Sequence, residues 1–195
     1  MRKKFKKLMT AKEYTEFIES FPEINMKKYE LIDGIVYKYP SPYTIHQEIS
    51  GFLILELYEI IKQKKCKIYN LPLDVYLFDD SKEDECNTVV QPDLFVCDKN
   101  KLRSDGCHGV PSFIIEIIGK TTVEIDYDIK LNKYMTSGVK EYWIINPDSR
   151  RILKYLFTEG KKIKSTEIFN FSDKVKISVL DDFEINFADF KSVLD

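Results

Sequence analysis

The run Ser112-Phe-Ile-Ile-Glu-Ile-Ile118 is apolar and rich in β-branched residues, with one glutamate at its fifth position. Such a run reads as a strand in a sheet interior. An unpaired ionised carboxylate there costs several kcal/mol even after relaxation, so Glu116 must meet a cation or keep its proton. A second apolar run, Val89-Val-Gln-Pro-Asp-Leu-Phe-Val96, carries Asp93 in the same way. A workable fold has to bring compensation to both carboxylates.

The rest of the chain supplies a frame for such strands. Residues 10–22 read as a short helix capped by Thr10, with Tyr14, Phe17 and Ile18 as its stripe and Phe21-Pro22 as its end. Asp33-Gly34, between the apolar halves of Tyr29–Tyr37, predicts a hairpin, because both central residues of a type I′ turn need positive φ. Residues 42–64 form the strongest helix pattern: Ile45, Ile49, Phe52, Leu53, Leu57, Ile60 and Ile61 share a face, with Ser41 or Thr44 as cap and Thr44 with Gln47 as a capping box. Strands are expected over Ile68–Phe78, Thr88–Cys97 and Ser112–Ile118, with polar loops at 79–87 and 98–109. A helix over 124–137 stops at Gly138. Glu141–Asn146 and Ile152–Phe157 form a further hairpin, and the C-terminal part holds one or two more strands and a short helix. This order points to an α/β (α+β) architecture, a mixed central sheet with helices packed on it. The 195 residues suit a single domain over 1–195.

No window approaches the roughly 18 apolar residues of a membrane span. The basic start Met1–Leu8 has no apolar stretch behind it, which predicts an unexported, soluble, cytoplasmic protein. The four cysteines, at 66, 86, 97 and 107, lack the spacing of a zinc site and read as free thiols. The net charge of −2 does not advertise nucleic-acid binding, but charge is uneven: five of the first seven residues are Lys or Arg, and Lys161-Lys162-Ile163-Lys164 is basic too. Each run is either a solvated face or a local phosphate-binding patch.

Glu116 alone fits either a strand-end carboxylate paired with a lysine or a metal ligand, and Pro92-Asp93 alone also reads as a turn or strand start. Together, on neighbouring strands, the two can share one hard divalent cation, which takes oxygen ligands and keeps several waters. Asp126, Lys130 and Tyr134 recur every four residues, so they share a helix face. They form either a surface pair with a packed tyrosine or a group that aims a lysine at the metal site. His46 lies beside the apolar face of the long helix, as a packed or surface histidine or as a site residue. Gly119-Lys120-Thr121 looks like the end of a phosphate-binding loop, but the glycine such a loop needs five residues earlier is Ile114.

Taken in order, Tyr29-Glu-Leu-Ile-Asp-Gly34, Ser41-Pro42 with His46-Gln47, Pro92-Asp93-Leu94, Ile115-Glu116-Ile117, Asp126 with Lys130 and Tyr134, and Gly138-Val-Lys-Glu-Tyr-Trp-Ile-Ile-Asn-Pro147 resemble the Uma-two family of restriction-endonuclease-like proteins, within the PD-(D/E)XK nuclease superfamily. The match runs over about residues 29–157. The resemblance implies a restriction-endonuclease-like core, Asp93 and Glu116 as metal ligands, and a catalytic lysine moved from the strand to the helix at Lys130; the strand position two after Glu116 is Ile118. Glu30 and His46 match recurring positions and could complete the site. The family commonly has Ser-Pro three residues after the glutamate, where this chain has Gly119-Lys120. That makes Lys120 a second candidate for the catalytic lysine, or marks a weakened site.

The expected function is a Mg²⁺- or Mn²⁺-dependent DNA endonuclease, possible as a homodimer. Asp93 and Glu116 would hold the metal, Lys130 would assist the attacking water, and Tyr134, Asp126 and His46 would support the site. The rivals are a binding module of the same fold without turnover, and an interaction domain whose carboxylates form salt bridges.

Overall fold

A computed structural model describes residues 8–20, 28–41, 43–62, 64, 66–78, 83–119 and 125–190. The opening helix α1 spans Ala11–Glu19, and Thr10 and Glu13 close a capping box at its start; the expected Phe21-Pro22 end lies outside the described residues. Strands β1 (Tyr29–Ile32) and β2 (Ile35–Lys38) form the predicted hairpin. Asp33 and Gly34 sit at φ of 50° and 76°, as a type I′ turn demands. The long helix α2 spans Thr44–Ile61, but Tyr43 occupies its cap position and makes no side-chain cap hydrogen bond. Neither Ser41 nor Thr44 caps it. Thr44 is already the first helical residue, so the Thr44–Gln47 capping box does not form.

Two predicted strands are each split by a proline. Ile68–Phe78 becomes β3 (Cys66–Asn70) and β4 (Val75–Tyr76) in different sheets, parted at Leu71-Pro72. Thr88–Cys97 becomes β5 (Val89–Val90) and β6 (Leu94–Asp98), again in different sheets, parted at Gln91-Pro92-Asp93. A proline has no N–H for the ladder, so the chain leaves one sheet there and enters the other. The polar stretch 98–109, expected to be a loop, holds a small hairpin of β7 (Leu102–Arg103) and β8 (Gly106–His108). Phe113–Ile117 is β9. The helix predicted over 124–137 begins as a π-helical turn, Ile125–Lys130, and continues as α3, Leu131–Ser137. Gly138 ends it at φ 103°. The predicted hairpin is β10 (Glu141–Asn146) with β11 (Arg151–Phe157). Three strands follow instead of one or two: β12 (Ile163–Asn170), β13 (Lys174–Ile177) and β14 (Phe183–Asn186). Where the short C-terminal helix is expected, a 3-10 turn covers Phe187–Phe190, and residues 191–195 lie outside the described residues.

The central sheet has the order β12-β11-β10-β9-β6-β3 and is mixed, with β9 and β10 parallel and the other pairs antiparallel. The second, not anticipated from the sequence, has the order β2-β1-β5-β4-β8-β7. Side-chain alternation assigns the two faces of the central sheet. Leu94, Val96, Phe113, Ile115, Ile117, Trp143 and Ile145 pack against Ile49, Phe52, Leu53, Leu57 and Ile61 of α2. Phe95, Ile114, Ile118, Tyr142 and Ile144 pack on the other side with Tyr134 of α3 and with Ile32, Val75 and Val90 of the second sheet. Glu116 stands in register with Ile144 and shares the face of Ile114 and Ile118. It therefore points between the two sheets. No helix among the described residues is long and apolar enough to cross a membrane. None of the four cysteines is in a disulfide.

Candidate active site

Because β6 runs antiparallel to β9 with Leu94 opposite Ile115, Asp93 at the entry to β6 lies beside Glu116. Asp93 is thus not inside a strand, as its apolar flanks suggested, but in the crossover that Pro92 forces. Both carboxylates are buried, at 3% and 2% exposure. The backbone N–H of Ile117 donates to Asp93 Oδ2 at 2.7 Å, so the sheet itself fixes this carboxylate. His46 Nε2 lies 3.0 Å from the same oxygen. The first turn of α2 thereby brings His46 to the site, while its Nδ1 is buried without a hydrogen-bond partner among the described residues.

Lys130, at the last position of the π-helical turn, is almost wholly buried and donates to Glu116 Oε1 at 2.8 Å and Glu30 Oε1 at 2.9 Å. Asp126 Oδ1 lies 3.8 Å from the same ammonium. Tyr134, one turn on, donates to Glu116 Oε1 at 2.7 Å. The shared face expected of Asp126, Lys130 and Tyr134 is therefore present, buried against the sheet rather than on the surface. Glu30, on β1 of the second sheet, is wholly buried and also accepts the Gln91 N–H at 2.9 Å.

One residue at the site had gone unread in the sequence. Lys28, just before β1, donates to Asp93 Oδ1 at 3.2 Å and lies 3.8 Å from Glu30 Oε1. The Tyr39 ring centroid sits 5.4 Å from the Lys28 ammonium and 5.2 Å from that of Lys130. Lys28 stands beside Lys27 in a stretch with no periodicity, so nothing local marked it. Lys120 and the basic residues 1–7 lie outside the described residues.

A cleft of about 330 Å³ opens onto this cluster, with Lys28, His46, Asp93, Glu116, Asp126 and Lys130 in its lining. Burial pushes the Glu116 carboxyl up to about 8, against the pull of Lys130 and Lys28 and with the help of Asp93 and Asp126. Burial also works against ionised Glu30, but Lys130 and Lys28 outweigh it and hold that carboxyl below its ordinary value. Asp93 is likewise buried, yet Lys28, His46 and the Ile117 N–H keep it well below the usual carboxylate range. Burial opposes the charge on Lys130, while Glu116 and Glu30 raise its pKa well above the ordinary lysine value.

These values fit the charges present. Among the described residues, the ammonium groups of Lys28 and Lys130 lie against the carboxylates of Glu30, Asp93, Glu116 and Asp126. Burial is the first cause of the raised Glu116 carboxyl, and the neighbouring Asp93 and Asp126 add to it. Carboxylate oxygens are the donors a hard divalent ion prefers, and magnesium commonly needs only one or two carboxylates beside its waters. No group of three or more His, Cys, Asp or Glu side chains poised to hold a metal occurs among the described residues. The Asp93 and Glu116 oxygens at the cleft are donors of the kind such a cation shares with water.

A family model described as "Uma2: Putative restriction endonuclease" matches residues 13–188, a span wider at both ends than the motifs over 29–157. A crystal structure described as a putative nuclease belonging to DUF820, from Anabaena variabilis ATCC 29413, matches 96% of this chain and 99% of its own with a TM-score of 0.73 and 18% identity. At that identity the likeness establishes the fold, which is that of a restriction-endonuclease-like nuclease. The type IIG restriction endonuclease BpuSI matches 76% of this chain and 15% of its own at 13% identity, with a TM-score of only 0.39. No match was found among curated proteins. With nine-tenths of its length matched by the family model, the chain belongs to the Uma2 family.

Proposed function

We propose that this protein is a Mg²⁺- or Mn²⁺-dependent DNA endonuclease that hydrolyses phosphodiester bonds in the cleft over Asp93 and Glu116. One observation carries the reading. The pairing of β6 with β9 sets two buried carboxylates side by side at one cleft. Asp93 and Glu116 would hold the ion. When bound, a divalent ion of this kind supplies Lewis acidity and a water acidified enough to attack at neutral pH.

The protein's own residues do the rest. The Ile117 N–H and His46 orient Asp93, and Tyr134 and Lys130 orient Glu116 through one shared oxygen. Lys130 sets a fixed positive charge beside the place where a phosphate would react, where it assists the attacking water and stabilises developing negative charge. Asp126 and Glu30 hold that ammonium in position.

The test is cleavage of a supercoiled plasmid in Mn²⁺ and in Mg²⁺ by wild type, Asp93→Asn and Glu116→Gln, with and without chelator. Cleavage that the chelator stops, and that either substitution lowers by about 100-fold or more, supports the reading. Cleavage that survives both substitutions overturns it.

A second reading is a module of the same fold that binds nucleic acid without turnover. It is favoured by the fact that Asp93 and Glu116 already have cationic or hydrogen-bonding partners within the protein. It predicts DNA binding indifferent to chelator and no cleavage in the same assay.

A further inference from the structure

The two ammonium groups in the cleft are held very differently. Lys130 has 1% side-chain exposure and is enclosed by Glu30, Glu116 and Asp126. Both of its short contacts are to buried carboxyl groups, one from each sheet, so its departure would strand the Glu30 charge and leave Glu116 without a donor. Lys28 keeps 15% of its side chain exposed and, among the described residues, has one contact within hydrogen-bond distance, to Asp93 Oδ1 at 3.2 Å.

The oxygen that Lys28 occupies is the one Asp93 has to offer. Oδ2 already accepts the Ile117 N–H and faces His46 Nε2. Oδ1 has the fewer partners among the described residues, and a divalent ion that took it could not share it with an ammonium at contact distance without strong repulsion. The backbone of Lys28 is fixed, since its carbonyl accepts the Tyr39 N–H at 2.8 Å. Its four-carbon stem is not fixed, and the head can swing while the main chain stays in place. A displaced ammonium would remain tethered in the cleft lining and would need another anion.

We infer that Lys28 is a displaceable counter-ion of the metal site, which occupies Asp93 in the metal-free protein, yields that oxygen to a divalent ion, and then takes the substrate phosphate. The inference rests on the metal-dependent reading above. It separates the lysines by role: Lys130 is a fixed strut, and Lys28 is the cation that changes partners.

The experiment uses the intact chain as wild type, Lys28→Met and Lys28→Arg, with Lys28→Gln in reserve should the methionine variant not fold. Mn²⁺ affinity is measured by calorimetry without DNA, and plasmid cleavage is measured at saturating Mn²⁺ for each variant. Lys28→Met is expected to bind Mn²⁺ about tenfold more tightly yet cleave more slowly, while Lys28→Arg stays near wild type in both. A merely structural lysine would weaken both on removal. Mn²⁺ affinity in Lys28→Met equal to or weaker than that of a wild type that binds Mn²⁺ overturns the inference. Tighter binding with unchanged cleavage overturns the phosphate half. Tighter binding in a protein that never cleaves leaves the counter-ion in place and removes the nuclease reading. No Mn²⁺ binding in any variant removes both.

Discussion

Lys130 and Glu116, fourteen residues apart in the chain, meet at 2.8 Å in the interior, with 1% and 2% of their side chains exposed. The contact crosses from the π-helical turn to a central strand. It continues to Glu30 on the other sheet through the same ammonium, so one buried cation ties three parts of the fold together.

Replacing Lys130 with methionine is expected to cost about 3–5 kcal/mol of stability, because it takes the close cation from the buried Glu30 carboxylate and a hydrogen-bond donor from Glu116. Urea unfolding at neutral pH checks this. A loss below about 1 kcal/mol would mean that the pair behaves like an exposed one.

The metal-free protein should lose stability as pH rises. Glu116 keeps its proton in the folded state up to about 8, above its ordinary value of 4.5. Between those values the folded state binds a proton that the unfolded chain has released, so stability falls across the window and the contribution levels off above it. Glu116→Gln has no such proton. Denaturant melts in chelator at about pH 5 and about pH 8 should show a larger fall for wild type than for this variant. Equal falls would count against the raised carboxyl.

Manganese at a hundred times its dissociation constant should stabilise wild type by about 2.7 kcal/mol. Asp93→Asn should lose most of that gain. Thermal melts with and without Mn²⁺ read the difference directly, and an unchanged gain in the variant would remove Asp93 from the metal site.

Gly138 offers a test that leaves the cleft alone. It closes α3 at φ 103°, and a Cβ added there meets nothing within 4 Å. Gly138→Ala should therefore cost about 1–2 kcal/mol through backbone strain alone. A neutral substitution would show that the turn can relax.

Much of the frame could be read along the chain because its signals are local. The Thr10 capping box, the Asp33-Gly34 turn, the apolar face of α2 and the Gly138 stop each depend on residues within a few positions of one another. The errors in the frame have one main source. Pro72 and Pro92 sit inside apolar runs that look continuous, and each proline moves the chain between two sheets. The second sheet was missed for that reason, and because most of its strands have only two to four residues.

The carboxylates were marked in advance because charge inside an apolar run is costly wherever the run folds. Asp93, Glu116, Lys130 and Tyr134 could be named from that cost, from helical spacing and from family resemblance. Which residue pairs with which could not. The contact of Lys28 with Asp93 joins residues 65 positions apart, and that of Glu30 with Lys130 joins residues 100 apart. The sequence by itself determined which groups needed compensation, since desolvation acts on each residue alone. Only the tertiary structure decided which lysine answers which carboxylate, because that depends on the register of β6 with β9 and on how the second sheet closes over them.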